Sequence, residues 1–200
     1  MRNVALFDLD GTLTRADTLL EFLDFALGKG RACLSLASTT PLWAAARLGC
    51  TADDAPKKAL VRRVFGGQPV AWWAEQAERF RLQRMPRLLR SGALQAVADL
   101  QRQGTEAFIV TASCTLWVEP WCRQHGLGCI ATELESDGIR YTGRLATPNC
   151  KGGEKVRRIH AHFGTDAVAY LHAYGDTPSD RPMLALAKEA HYKPFRQAPA

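Results

Sequence analysis

A chain of 200 residues with 46% hydrophobic side chains is long and apolar enough to bury a core, as one domain or as one domain with an insertion. The 26 basic and 20 acidic residues leave a net charge of +6, which points to anionic partners, and the whole excess falls between Arg15 and Arg90, where 13 Lys or Arg face 7 Asp or Glu. The six cysteines (Cys33, Cys50, Cys114, Cys122, Cys129, Cys150) form no Cys-x-x-Cys pair and are too scattered for a zinc site or a disulfide framework, so reduced thiols in a cytoplasm and no secretory leader are expected.

Asn3 to Asp8 reads as a buried strand, ending in the stretch LFDLDGTLT (Leu6 to Thr14). Some eighty residues without a strand signal follow, far too many for a loop between a strand and a helix, so an inserted helical domain is expected over 15–90. Its helices are DTLLEFLDFALG, RACLSLAS, PLWAAARL with Thr40 and Pro41 at its start, APKKALVRRVF, and PVAWWAEQAERFRLQRM. Beyond it come the helix GALQAVADLQRQG, the strand Glu106 to Thr111, the helix TLWVEPWCRQHG and a short strand in GCIATEL. The hairpin SDGIRYTG, the helix KVRRIHAHFG, a strand from Ala167 to Asp176 and a last run AHYKPF complete the chain. Alternating strands and helices predict an α/β fold, a doubly wound and mostly parallel sheet formed by 1–14 and 91–200, with the all-helical insert as a cap.

Three of these strands finish in polar residues: Asp8 with Asp10, Thr111 followed by Ala112 and Ser113, and Asp176 with Asp180 in GDTPSD. In an open parallel sheet the carboxyl ends of the strands line the ligand crevice, so these groups are expected to converge, joined by Lys151 of the Lys-Gly-Gly that opens a helix. Asp8 and Asp10, two apart, can both ionise there if a hard divalent cation and a lysine neutralise them. Such a cluster suits phosphoryl transfer. The bland alternatives are a solvated Asp-Gly turn, a strand-end hydroxyl at Thr111 with no ligand, and a helix-start charge at Asp180. His160, His162 and His172 show no metal-like pairing on one helix face and read as surface or core. Lys151 is no P-loop lysine, because its glycines follow it.

DLDGT, a strand ending in Thr, an isolated Lys and GDxxxD, in this order, resemble the haloacid dehalogenase superfamily of phosphatases over nearly the whole chain. The helical insert stands where the phosphoserine-phosphatase-like branch (subfamily IB) carries its cap. The resemblance implies that Asp8 is the nucleophile and Asp10 the acid and base, and that Thr111 and Lys151 bind the transferring phosphoryl group. It also implies that Asp8, the carbonyl of Asp10 and Asp176 hold Mg2+, and that Asp180, Gly11, Thr12 and Ser113 support the site.

The leaving group is less legible. Phosphoserine phosphatases carry a Glu nine residues after the nucleophile, and here that position is Asp17; Arg62 and Arg63 of the insert are further specificity candidates. The apolar ACLSLASTTPLWAAARL, flanked by Lys29, Arg31 and Arg47, is too short and interrupted to span a bilayer about 30 Å thick. With the arginines of ERFRLQRMPRLLR, it fits peripheral association with an anionic membrane. CKGGEKV (Cys150 to Val156), Asp17 and the apolar insert resemble, more loosely, the phosphatidylglycerophosphatase C family, although this insert is more polar than a committed membrane hairpin. The expected function is a cytoplasmic, magnesium-dependent phosphatase, peripheral at the inner membrane face if its substrate is a lipid head-group phosphate. The alternatives are a soluble-metabolite phosphatase of the phosphoserine kind and a non-catalytic anion- or nucleic-acid-binding module. No nucleic acid is expected, since basics and aromatics do not interleave as a single-strand groove requires.

Overall fold

A computed structural model of the chain describes residues 2–164 and 168–196. The strands are β1 (Arg2–Phe7), β2 (Glu106–Cys114), β3 (Gly128–Thr132), β4 (Leu134–Ser136), β5 (Tyr141–Leu145), β6 (Val168–Gly175) and β7 (Glu189–Tyr192). Five of them form a sheet in the order β3-β2-β1-β6-β7, with every neighbouring pair parallel, and β4 pairs with β5 as a separate antiparallel hairpin. The expected third strand from Ala167 is β6; Ala167 itself lies outside the described residues.

Along β1 the fully buried side chains alternate, Val4 and Leu6 joining one apolar cluster and Ala5 and Phe7 the other. A parallel strand covered on both faces reads as such an unbroken apolar run. The helices are α1 (Thr18–Leu27), α2 (Lys29–Ala37), α3 (Thr40–Arg47), α4 (Ala55–Phe65), α5 (Val70–Gln83), α6 (Met85–Leu88), α7 (Ala93–Arg102), α8 (Thr115–Gln124), α9 (Gly153–Phe163) and α10 (Arg181–Leu184). Val97 of α7 and Trp117 and Trp121 of α8 lie in the Phe7 cluster, while Ile159 of α9 and Met183 of α10 lie in the Leu6 cluster. The sheet is therefore wound on both faces.

Helices α1 to α6 occupy the interval between β1 and α7. The chain enters and leaves this interval side by side: Arg15 N–H donates to the Leu88 carbonyl at 2.8 Å, and Arg90 N–H to the Leu13 carbonyl at 2.8 Å. The helices share a core with the sheet layer, because Phe22 stacks on Trp117 with ring centres 4.9 Å apart and meets Phe80 edge-on at 5.3 Å. The β4–β5 hairpin closes against α4, where Gly67 N–H donates to the Tyr141 carbonyl at 2.8 Å. Among the described residues no helix is long and apolar enough to cross a membrane.

Candidate active site

The turn after β1 brings the site together. Gly11 sits at φ +84°, and a Cβ there would come 2.4 Å from Asp176 Oδ2, so only glycine lets the turn lie against the end of β6. Asp8 and Asp10 leave this turn toward different partners. Asp8 is 7% exposed; its Oδ1 accepts from Lys155 Nζ at 2.6 Å and its Oδ2 from Thr12 Oγ1 at 3.1 Å. Asp10 accepts from the Thr18 N–H at 2.6 Å and from Ser113 Oγ at 2.6 Å. Ser113 Oγ in turn lies 3.0 Å from Thr18 Oγ1, which accepts from Trp117 Nε1 at 3.1 Å.

The lysine beside Asp8 is Lys155, not Lys151. Lys151 stands in the loop before α9 and pairs with Asp53 at 2.7 Å, both side chains largely exposed. Lys155 lies in the first turn of α9, 2% exposed, and bridges Asp8 at 2.6 Å and Asp180 at 2.7 Å. The reason is helical phase: Lys155 shares its face with Ile159, one turn on, which is fully buried. The signal was in the sequence, as a lysine one helical turn before an apolar position in KVRRIHAHF.

Asp180 works as the anchor of this lysine. Its other oxygen accepts from the N–H of Thr177 at 2.9 Å and from Thr177 Oγ1 at 2.8 Å, which closes the GDTPSD turn. Gly175 permits the approach, since a Cβ there would lie 2.5 Å from Asp180 Cβ. Asp176 accepts from Thr12 Oγ1 at 3.3 Å and from Arg196 Nη2 at 2.7 Å. Thr111, 1% exposed, uses its hydroxyl oxygen to accept from the Ser113 N–H at 3.0 Å at the bend of β2 and makes no hydrogen bond to Asp8.

Burial pushes the Asp8 carboxyl up to about 7, with the charges of Asp180 and Asp10 adding to the push and Lys155 opposing it. Burial and then the Asp17 charge push Asp10 up to about 6. Burial works against the Lys155 charge, but Asp8 and Asp180 outweigh it and hold the ammonium above its ordinary value. Burial also opposes the charge on Asp180, yet Lys155 holds that carboxyl below the usual range.

Asp8, Asp176 and Asp180 offer carboxylate oxygens within 4.8 Å of one another. The Thr12 hydroxyl faces both Asp8 Oδ2 and Asp176 Oδ1 with one proton to give, so among the described residues one of these oxygens lacks a donor. An all-oxygen set with spare lone pairs fits a hard divalent cation such as magnesium, and a cation there would reverse the upward push on Asp8.

Beside Asp10 opens a pocket of about 490 Å³, lined on its polar side by Asp10, Asp17, Asp53, Lys57, Ser113, Asn149 and Lys151 and on its apolar side by Leu19, Leu20, Leu36, Trp43, Leu60 and Trp117. Asp17 reaches it but is occupied as the N-cap of α1, accepting from the N–H groups of Leu19 and Leu20 at 2.9 and 3.1 Å. Arg62 and Arg63 do not reach it; they line a different depression between α4 and Gly143 to Pro148. Lys57 is the residue that sequence reasoning missed. It is 8% exposed, and its Nζ crosses from α4 to the Ala112 carbonyl and to Asn149 Oδ1 at 2.6 Å. Burial lowers its pKa. It shares a helix face with the buried Leu60, Val61 and Val64, the same kind of signal as Lys155.

A parallel sheet that gathers four carboxylates and one buried ammonium at its carboxyl edge is the frame of an enzyme handling an anionic group. The chain belongs to the haloacid dehalogenase-like hydrolase family, whose model matches residues 5–185. It is 38% identical over 198 residues to the protein CicA of Caulobacter vibrioides, covering 97% of this chain and 87% of that protein. It is 28% identical over 209 residues to a histidinol-phosphatase of Neisseria meningitidis, covering 94% of this chain and 89% of that one. Its fold is shared with a phosphoserine phosphohydrolase-like protein of Francisella tularensis, at a TM-score of 0.64 and 17% identity over 96% of this chain and 86% of that one.

Proposed function

We propose that this hydrolase is a magnesium-dependent phosphomonoesterase working through a phosphoaspartate at Asp8. The observation that carries the reading is a buried Asp8 carboxylate held between Lys155 and Thr12, with Asp10 turned away from it toward an open pocket. Asp8, Asp176 and the Asp10 carbonyl would hold the magnesium ion, which when bound supplies positive charge against the phosphoryl oxygens. Lys155 orients Asp8 and offers its charge to the phosphoryl group, the role that the resemblance placed on Lys151; Thr111 lends a hydroxyl from the end of β2. An Asp8 oxygen attacks phosphorus while the bond from phosphorus to the leaving oxygen breaks, and Asp10 gives that oxygen its proton. Asp10, now a carboxylate, takes a proton from water as the water oxygen attacks phosphorus, and the Asp8–phosphorus bond breaks to release phosphate. A carboxyl raised to about 6 suits both halves of this exchange. In this reading 15–90 is a cap that closes over the pocket and brings Lys57 to it.

For the substrate we propose a small soluble phosphomonoester whose leaving group is partly apolar and carries a cation. The pocket has the volume of a small-molecule site and an apolar wall, its acids Asp10, Asp17 and Asp53 outnumber its lysines Lys57 and Lys151, and the Neisseria relative is a histidinol-phosphatase. A second reading, a lipid head-group phosphate met at the inner face of a membrane, has its own support. Trp43 and Leu20 line the pocket and are 45% and 43% exposed, and Leu34 of α2 and Leu48 after α3 are also exposed, in stretches of sequence that carry Lys29, Arg31 and Arg47. The arginines after Glu78 add less, since Arg84 is held by Glu21 at 2.7 Å, Arg81 by Glu78 at 2.8 Å and Arg90 by the Gly11 carbonyl at 3.1 Å.

Phosphate release is to be measured across amino-alcohol, sugar and lipid phosphates, with magnesium and after chelation, with Asp10→Asn quenched in acid and weighed intact. The expected results are turnover only with magnesium and a phosphoryl adduct on Asp8 that persists in Asp10→Asn. Full turnover after chelation overturns the magnesium assignment, and an adduct-free variant during turnover overturns the phosphoaspartate. Turnover of lipid phosphates alone, with sedimentation on anionic liposomes, selects the second reading.

A further inference from the structure

Away from the catalytic crevice, the last two strands of the sheet bring together two imidazoles and a carboxylate. β6 and β7 are parallel neighbours with His172 opposite Glu189 and Tyr174 opposite His191. Residues two apart on a strand share a face, so His172, Glu189 and His191 project from one side of the sheet. His172 Nδ1 lies 3.2 Å from His191 Nε2 and 3.4 Å from Glu189 Oε2, and His191 Nε2 lies 3.9 Å from the same oxygen.

We propose that His172, Glu189 and His191 form a binding site for a borderline divalent transition ion, zinc in the first place, separate from the magnesium site. A point equidistant from the three ligand atoms lies about 2 Å from each, which matches zinc bonds of about 2.0–2.1 Å to imidazole and about 2.0–2.2 Å to carboxylate. Two nitrogens and one oxygen suit zinc, cobalt or nickel, whereas the all-oxygen crevice suits magnesium, so the two sites sort ions by ligand softness. The ligands are partly built in advance. The His191 ring stacks on Tyr174 with centres 4.2 Å apart and planes at 11°, and Tyr174 stacks on Phe7 at 4.4 Å. His172 is half-buried, and Glu189, largely exposed, is the arm free to adjust.

The site would act as a clamp on the open edge of the sheet. Beyond β7 the chain runs from Lys193, whose N–H donates to the Gly175 carbonyl at 2.8 Å, to Arg196, which contacts Asp176. An ion bridging β6 to β7 fixes the strand from which that arginine reaches the crevice.

The test uses the tag-free protein with excess magnesium to fill the carboxylate site, titrated with cobalt(II) for its visible spectrum and with zinc for thermal stability. One equivalent of cobalt is expected to give the intense d–d bands of a four-coordinate ion with nitrogen ligands, and zinc is expected to raise the melting temperature. His172→Gln and His191→Gln should each lose both signals while keeping the wild-type circular dichroism without metal. The exposed Glu189→Gln, which leaves the packed rings in place, should weaken zinc about tenfold or more. No cobalt bands in the wild type, or the same bands in all three variants, overturns the proposal and leaves a hydrogen-bonded histidine pair.

Discussion

The carboxylate well around Asp8 and the pocket beside it meet at the turn from Leu9 to Leu13 but are built in different ways. In the well, Asp8, Thr12, Lys155, Asp176 and Asp180 are all at most 8% exposed, and their partners are fixed by the ends of β1 and β6, the turns that follow them and the first turn of α9. The pocket takes its lining from α1, α2, α3, α4 and α8 together with the loops before α4 and α9, and Leu20 and Trp43 remain exposed at it. The well is an electrostatic device in which Asp8 and Asp180 share one buried ammonium inside a low-dielectric space, so removing one member affects chemistry and stability together. The pocket is a surface shared by the insert, which supplies most of its lining, and the core, so changes on the insert side should fall on substrate choice.

The largest break in this comparison is Asp8→Asn. An amide neither attacks phosphorus nor ligates magnesium well, and turnover should fall by about 10⁴-fold or more, as for other nucleophile removals; steady-state assays check this, and activity within a few fold of wild type removes Asp8 from the mechanism. Next is Lys155→Met, which leaves Asp8 and Asp180 buried without their shared cation. It should cost about 3–5 kcal/mol of stability by denaturant unfolding, together with activity, the usual range for breaking a buried pair. The unchanged stability of such a variant would contradict the arrangement of the well.

Lys57→Met tests the pocket. It removes a charge from the lining while keeping the bulk along Leu60 and Val64, so kcat/KM should shift between substrates by about 10- to 200-fold, the range for one changed pocket contact. An equal fall on every phosphomonoester would assign Lys57 to the chemistry instead. The smallest effect is expected for Lys151→Ala, whose exposed pair with Asp53 is worth about 0–1 kcal/mol. Its stability should match wild type in the same unfolding experiment, and the contrast with Lys155→Met is the sharpest separation of the two lysines.

Both lysines that the structure singles out, Lys155 and Lys57, share one property. Each occupies a helix face whose other members are apolar, Ile159 in one case and Leu60, Val61 and Val64 in the other. Motif order draws attention to the lysine beside two glycines, whereas helical phase identifies the one that is buried. Asp17, a specificity candidate by its spacing from Asp8, shows a second duty that spacing does not reveal: its carboxylate lines the pocket and also caps α1, because that helix begins at Thr18.

By itself the sequence determined the strand-and-helix alternation, the inserted helices and the positions of Asp8, Asp10, Asp176 and Asp180, because these depend on local periodicity and on where apolar runs end. It also carried the Asp-Gly turn, whose positive φ at Gly11 only glycine adopts without strain. Tertiary structure alone decided which cation neutralises Asp8, that Lys57 spans from the insert to the end of β2, and that His172 meets His191 and Glu189 across the sheet edge. These pairings join residues from 17 to 147 positions apart, for His172 with Glu189 and for Lys155 with Asp8, and no local pattern encodes them. They follow from strand register and helix phase, which are settled only when the two faces of the sheet are buried together.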